Sequence, residues 1–589
     1  MADQRSGLIA ALLTHSHISK MLLLSAQKGQ KLVRTAAAHV GMAEHGEPRL
    51  PVLVEPGSHA PKRQRRCQYN CLSWIHKEVK LWLENPDMDG IARHALQRSV
   101  KQLTTMPLEL VLRLSIILHK SGSLHLWYRQ AVRGEYPEEV WLAAAAAVQA
   151  LDGDLPVDAS AAQRRARASS QKAEARRLFE EYVEKVTNTP AVVAAAYAPE
   201  QQEDRLLVCS ARLGGGGSRH AFTTFEAVFT ALHYITKACN IRGSLEAFTG
   251  LSKSALSRSL SVVLGACRAA LFKQQVYWPA QDSLEFEQSV RIYFSLSGCL
   301  LPGCCATLDD THFSVNVSER GGKNAYIGKD RRATISATAA VSGQGTFWMA
   351  NSGYEGSQSD RGKLIRGGLM ASMMGPSAGR LFSYPMFMAG DSGFRPGYWW
   401  LLLPFDSRDQ GVDVSGYDER VRTYHDGLLH ARVRVEQSFG ELKGRFRILS
   451  STWNGNLSPS KVNKLAVSAF ALHNFIVREG RLRPYVDAAL HYTREGSPAA
   501  NLLQHSLQWL KDMRHTVHPI DTVRAAVEAS IAPSGNGQWE PEPHKLATDA
   551  GRQMRAAAVL TAMHCKATIN TLSAESDSDS DFSSADSDD

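Results

Sequence analysis

Absences limit this sequence before any motif does. No uninterrupted apolar run approaches the ~20 residues that a bilayer-spanning helix needs, and Leu22 to Leu24 is flanked by Lys20 and Lys28. No membrane association is expected, since no basic amphipathic anchor stands out either. The nine cysteines follow no regular spacing, which argues against a disulfide framework and for free thiols in a reducing compartment. Wholesale disorder, collagen and a coiled-coil rod are excluded by 44% apolar, 21% charged and 8% aromatic residues. At 589 residues the chain has room for about three or four folded units.

Charge is unevenly placed. The formal net charge is +9, yet residues 573–589 hold seven acids and no base, so the rest of the chain stands at +16. A basic body favours a polyanionic partner, nucleic acid before membrane. Residues 1–66 read as a disordered basic arm or an organelle transit segment. They close on Pro61-Lys62-Arg63-Gln64-Arg65-Arg66, a nuclear-import signal or a solvated basic patch. Cys67, Cys71 and His76 lack the second ligand pair that a zinc site requires. The acidic tail, 571–589, has Ser576, Ser578 and Ser580 each followed by aspartate; it reads as a solubilising end before a phosphorylated segment or a nucleic-acid mimic.

Helical spacing dominates 67–210, where no chemistry is assigned and Arg164, Arg165, Arg167, Lys172, Arg176 and Arg177 read as a solvated helix face before a phosphate track. A Gly-rich linker follows at 211–220, with four glycines at 214–217. Over 222–275, Phe225, Val228, Phe229, Leu232 and Ile235 make one stripe. Gly243 and Gly250 bracket a short second helix, and Ser252 caps a third. The pattern suits a helix-turn-helix or a plain helical bundle; in the first case Lys253, Ser254, Ser257 and Arg258 would meet DNA.

Between 290 and 480 the pattern turns to strands and helices. Cys304 to Leu308 is apolar and runs into Asp309-Asp310. Residues 333–341 and 346–350 form a hairpin around Ser342-Gly343-Gln344-Gly345, and Met386 to Ala389 runs into Gly390-Asp391. A helix from about Leu429 to Arg447 buries Val435, Phe439, Leu442 and Phe446 and carries Arg432, Glu436, Gly440, Lys443 and Arg447 on the next face. Gly440 leaves room there for a ligand or a backbone. Two strand-end aspartates and one helical glutamate are the donor set a two-metal phosphodiester site uses, while acids at strand ends also cap helices or pair with arginine. Groups splayed on the order of ten ångströms apart, or an acid buried in an arginine clamp, would exclude such a site.

These residues resemble the PIF/Harbinger transposase family and its domesticated Harbinger-derived nucleases. Thr307-Leu308-Asp309-Asp310-Thr311-His312 is similar to the family's first motif, and Gly390-Asp391-Ser392-Gly393-Phe394, with Leu403-Pro404 after it, to the second. Arg432-Val433-Arg434-Val435-Glu436-Gln437-Ser438-Phe439 with Gly440 to Phe446 is similar to the third. Gly356 to Asp360 and Leu472-His473-Asn474-Phe475 add two more, and the acid intervals of 82 and 45 residues also fit. The resemblance covers roughly 225–480. It implies a DDE endonuclease on an RNase H-like fold, with Asp309, Asp391 and Glu436 holding two divalent ions, Mg²⁺ or Mn²⁺. It also implies double-stranded DNA as substrate, a Myb-like partner protein and a nuclear location, and leaves oligomerisation open. Arg432, Lys443 and Arg447 would contact DNA. Rival readings are a catalytically silent DNA-binding protein and a protein-binding adaptor with an inert core. Two departures stand out. Asp310 replaces the usual glycine, adding a carboxylate to repel, relay or replace Asp309, and His425 and Leu428-Leu429 stand where relatives carry Asn and His-Ser.

The fold class expected is multidomain: a helical N-terminal region, a helix-turn-helix, then an α/β RNase H-like DDE domain at 290–480, with a C-terminal helical segment at 481–570.

Overall fold

Helix carries the chain from Cys71 to Gln275. The computed structural model describes residues 71–85, 90–152, 160–213, 222–238, 244–318, 322–328, 331–374, 381–395, 398–405, 419–450, 457–480, 484–512 and 553–570. The N-terminal arm with its basic cluster, the four glycines, Gly243 and the acidic tail lie outside these residues. The helices are α1 (Cys71–Glu84), α2 (Gly90–Thr104), α3 (Leu108–Lys120), α4 (Ser123–Tyr128), α5 (Glu138–Asp152), α6 (Ala161–Thr187), α7 (Pro190–Tyr197) and α8 (Gln202–Ser210). After the glycines come α9 (Thr224–Lys237), α10 (Glu246–Thr249), α11 (Lys253–Gln275) and α12 (Leu284–Leu296).

Leu213 N donates to Phe222 O at 2.8 Å, so the described residues on either side of the glycines lie together. Helix α9 opens with a reciprocal cap, Thr223 with Glu226, and buries the whole stripe Phe225, Val228, Phe229, Leu232 and Ile235. Gly250, in the left-handed region at φ 69°, ends α10, and Ser252 accepts from Ala255 N to start α11. Helix α11 has two roles along its length. Its first turns expose Lys253, Ser254, Ser257 and Arg258, while Val262, Val263, Ala266 and Ala270 are buried. By length and composition it is the helix, among the described residues, that is apolar enough to cross a membrane; here its inner face is core.

Small and β-branched residues then build a five-stranded mixed sheet in the order β3-β2-β1-β4-β5. Strand β1 (Cys304–Ser314) pairs antiparallel with β2 (Thr334–Val341), which pairs antiparallel with β3 (Phe347–Glu355). Every residue of β2 is buried, as befits a strand covered on both faces. The expected hairpin is present, and β3 runs five residues beyond Ala350. On one sheet face lie α13 (Asp360–Arg366) and α14 (Leu369–Met374). Strands β4 (Phe387–Gly390) and β5 (Leu401–Leu402) extend the sheet in parallel to β1. The opposite face carries α12, α15 (Glu419–Arg445) and α16 (Pro459–Glu479); α17 (Pro484–Tyr492) and α18 (Pro498–Asp512) follow. Helix α15 starts ten residues earlier than the spacing predicts, because Tyr424 and Leu428 extend its buried stripe toward the N-terminus.

Helix α16 joins the helical region to the sheet. Asn474 donates to Gln275 O at 2.7 Å and Ser468 donates to Leu264 O at 3.1 Å, so α11 lies along it. Buried residues of the helical region, among them Phe229 and Val263, share one cluster with Ala337, Phe439 and Phe470, and Ile292, Val486 and Ala489 form another. Residues Tyr69–Met563 make one unit; the other comprises Met1–Gln68 and His564–Asp589, of which residues 564–570 are described and are helical. Cys209, Cys267, Cys299, Cys304, Cys305 and Cys565 are buried free thiols.

His76 bridges helices rather than binding metal with Cys71. Its Nε2 donates to Cys209 O at 2.7 Å and its Nδ1 lies 3.0 Å from Glu226 Oε1. The Glu226 carboxylate, against the opposing effect of burial, holds the imidazole pKa above its ordinary value. The charged ring therefore stabilises the fold below about pH 6.5, and this contribution is lost as pH rises through the elevated folded value. Thermal unfolding of wild type is expected to show that decline as pH rises above about 6.5. His76→Phe should flatten it and cost about 1–3 kcal/mol, by leaving Glu226 short of a partner.

Candidate active site

Backbone pairing brings the first two acids together. Leu308 is the register partner of Gly390 in the parallel β1/β4 pair, so Asp309 and Asp391 follow on neighbouring strands about 4.8 Å apart. Parallel strands end at the same edge, where α/β sheets place their ligands. Asp309 sits mid-strand, still paired with Ala339 of β2, and its Oδ1 accepts from Asp310 N at 2.7 Å. Asp391 begins the turn Ser392–Phe394 and spends no side-chain hydrogen bond on capping it.

Glu436 arrives from α15, and one side chain measures the convergence. Arg432, one turn before Glu436, places Nη2 3.8 Å from Asp309 Oδ2 and 3.9 Å from Glu436 Oε1, and Nη1 3.6 Å from Asp391 Oδ1. The three carboxylates thus face a common guanidinium. Side-chain exposure rises from 21% for Asp309 through 45% for Asp391 to 61% for Glu436, so Asp309 is largely buried beside the arginine while Asp391 and Glu436 stay open to solvent. Burial pushes the Asp309 carboxyl up to about 6, with Asp391 and Glu436 adding to the rise and Asp310 N–H and Arg432 opposing it.

Side chains alternate across a strand, so Asp310 points to the other sheet face. There Lys363 of α13, 1% exposed, donates to Asp310 Oδ2 at 2.5 Å and to Asp360 Oδ1 at 3.1 Å. The Asp310 side chain belongs to a buried ion triad, and Asp310 meets the acid set around Arg432 through its backbone N–H to Asp309. Burial, with Asp360 alongside, raises its carboxyl pKa against the pull of Lys363. Asp360 also lies against the backbone after Asp391, where a Cβ on Gly393 would come within 2.3 Å of its Oδ2.

The third motif owes its geometry to Arg434. This buried arginine donates to Gly343 O at 3.2 Å and to Gln344 O at 3.1 Å, clamping α15 to the β2–β3 turn. Gly345, at φ +84°, leaves the space, since a Cβ there would lie 1.6 Å from Arg434 Nη2. The Leu472-His473-Asn474-Phe475 motif serves the same turn. His473 Nε2 donates to Gly345 O at 3.0 Å, and Asn474 Oδ1 accepts from Phe347 N at 2.8 Å. Of the departures, His425 accepts from Phe405 N at 2.8 Å, Leu428 is buried and Leu429 is exposed.

Of the bases assigned to DNA, Arg447 is exposed, whereas Lys443 is half-buried 5.4 Å over the Phe313 ring, and burial lowers its pKa. Lys253, Ser254, Ser257 and Arg258 are exposed on α11, a different element from the acids. Among the described residues, and leaving aside the helix's own backbone, no atom lies within 4 Å of a Cβ placed on Gly440.

Residues 308–474 match the family model of the DDE superfamily endonuclease. The matched segment starts one residue before Asp309 and ends at Asn474, taking in all three acids and both fastening motifs. No curated protein and no solved structure matches the chain. DDE endonucleases generally use divalent metal ions. Among the described residues no group of three or more Asp, Glu, His or Cys side chains stands ready to hold a metal ion. The donor set nonetheless fits in kind: three hard carboxylates face one stand-in cation, the Arg432 guanidinium.

The Asp310–Lys363 pair yields a direct test. Lys363→Met leaves a buried carboxylate uncompensated and is expected to lower unfolding free energy by about 3–5 kcal/mol in urea titrations. Adding Asp310→Asn should restore most of that loss, and the double-mutant cycle should give a coupling energy of at least about 1 kcal/mol.

Proposed function

We propose that the chain is a metal-dependent DNA endonuclease or transposase of Harbinger type, cutting phosphodiester bonds on an RNase H-like scaffold. One observation carries the reading: acids from β1, from the end of β4 and from α15 converge on one guanidinium, inside the segment matching DDE endonucleases. The sheet supports it too, with an antiparallel hairpin on one side of β1 and parallel strands on the other.

Asp309, Asp391 and Glu436 would hold two Mg²⁺ or Mn²⁺ ions, which supply an activated water or 3′-hydroxyl and stabilise the leaving oxygen. The protein's own share is placement. The sheet fixes Asp309, the turn after β4 fixes Asp391, and Arg434 sets the axial position of Glu436 by locking α15 to the β2–β3 turn. Arg447 and the exposed start of α11 would take phosphates of double-stranded DNA, the latter as a helix-turn-helix. A nuclear location and a Myb-like partner complete this reading, supported by the motif resemblance and by the basic cluster at 62–66.

The rival, a non-cutting DNA-binding protein, draws on the same arginine: its guanidinium stands where a cation would be required. Nicking of supercoiled DNA by the purified full chain decides between them. Cleavage with Mg²⁺ or Mn²⁺, lost by on the order of 10³-fold in Asp309→Asn, Asp391→Asn and Glu436→Gln, is expected. Salt-sensitive binding without cleavage under both metals would favour the rival.

A further inference from the structure

Two arginines two residues apart on α15 are held in opposite ways. Arg434 is 1% exposed and bonded to backbone carbonyls. Arg432 is 16% exposed and stands 3.6–3.9 Å from three carboxylates, within ion-pair range but beyond hydrogen-bond length. Its Nε is buried with no hydrogen-bond partner among the described residues. Electrostatic attraction to the acids, rather than a directional bond, therefore keeps this guanidinium where it is. The same acids are the groups a divalent ion would claim, and both cations cannot have them at full strength.

We propose that Arg432 is the resident counter-cation of the metal-free site. It surrenders the carboxylates as a divalent ion is loaded, and its released guanidinium turns to a phosphate of the nucleic acid. The inference rests on the nuclease reading. Removing three mutually repelling carboxylates' counterion costs stability in the metal-free chain. Removing the competitor also raises apparent metal affinity, because occupancy of the site by arginine subtracts from binding. The released side chain lies one turn before Glu436 on a face that continues to Arg447, the direction in which a phosphodiester backbone would run.

The experiment is Mn²⁺ binding to the full chain without DNA, read by electron paramagnetic resonance or calorimetry, beside thermal unfolding in EDTA. Arg432→Gln is expected to bind Mn²⁺ about ten-fold more tightly than wild type. It should melt lower in EDTA and gain more than wild type on adding Mn²⁺. Arg432→Lys, which keeps a cation but reaches less far, should fall between the two and stands in if the glutamine variant does not fold. Equal or weaker Mn²⁺ affinity in Arg432→Gln and in Arg432→Lys would overturn the exchange while leaving the nuclease reading intact. Absence of Mn²⁺ binding in every chain, or binding undiminished by Asp309→Asn, would overturn the nuclease reading and the exchange with it.

Discussion

The pairing of β1 with β4 is the constraint from which the site follows. The Leu308–Gly390 register sets Asp309, within β1, beside Asp391, which follows the last residue of β4. Because β1 continues along β2 for several residues after β4 has ended, the two acids inherit different rigidity. Asp309 is fixed by ladder bonds on one flank, Asp391 by a short turn and Glu436 by its helix. Exposure rises in the same order, so the acid most firmly held by the sheet is also the most desolvated. That desolvation, reinforced by its two neighbours, is why its carboxyl titrates well above the usual range.

A sheet edge alone delivers only two acids, and the third depends on where α15 lies along its axis. The residues that set this position are polar and far from the chemistry: Arg434, His473 and Asn474 bond to the backbone of the β2–β3 turn and the strand it opens, and Gly345 makes room for them. A shift of one residue along α15 would rotate Glu436 by about 100° away from the aspartates. Motifs that look like a catalytic signature are thus in large part fasteners, and their sequence specificity reflects the geometry of one turn.

Much of this was legible in the residues. Apolar runs ending in aspartate marked β1 and β4, although β1 continues past Asp309 to Ser314 because it stays paired with β2; the Ser-Gly-Gln-Gly segment marked the hairpin, and the stripe Val435, Phe439, Leu442, Phe446 marked the buried face of α15. Pairings between distant segments were not legible. Nothing near Asp310 shows that a lysine 53 residues later will meet it. Nor does the four-residue spacing of Arg432 and Glu436 show that two more carboxylates arrive at the same guanidinium. The residues around His76 argued against a zinc site, but they could not show its partner, Glu226, which lies beyond the glycines. The exposed start of α11 was readable as a possible DNA face, whereas burial of its second half against α16 depends on tertiary packing that periodicity does not specify.

Strand alternation divides the acids of this region into two populations with different physics. On one face of β1, Asp310 and Asp360 share the ammonium of Lys363, which is almost wholly removed from water. A buried charge of that kind cannot leave without stranding its partners, so the triad is a structural element. On the other face, Asp309, Asp391 and Glu436 share a guanidinium that solvent reaches and that no short hydrogen bond detains. With all groups ionised the first set sums to −1 and the second to −2, and the compensating cation of the second is also the more accessible, 16% exposed against 1%. The proposed nuclease reading requires a counterion that can be exchanged, and of the two faces of β1 the one bearing Arg432 has the more accessible cation.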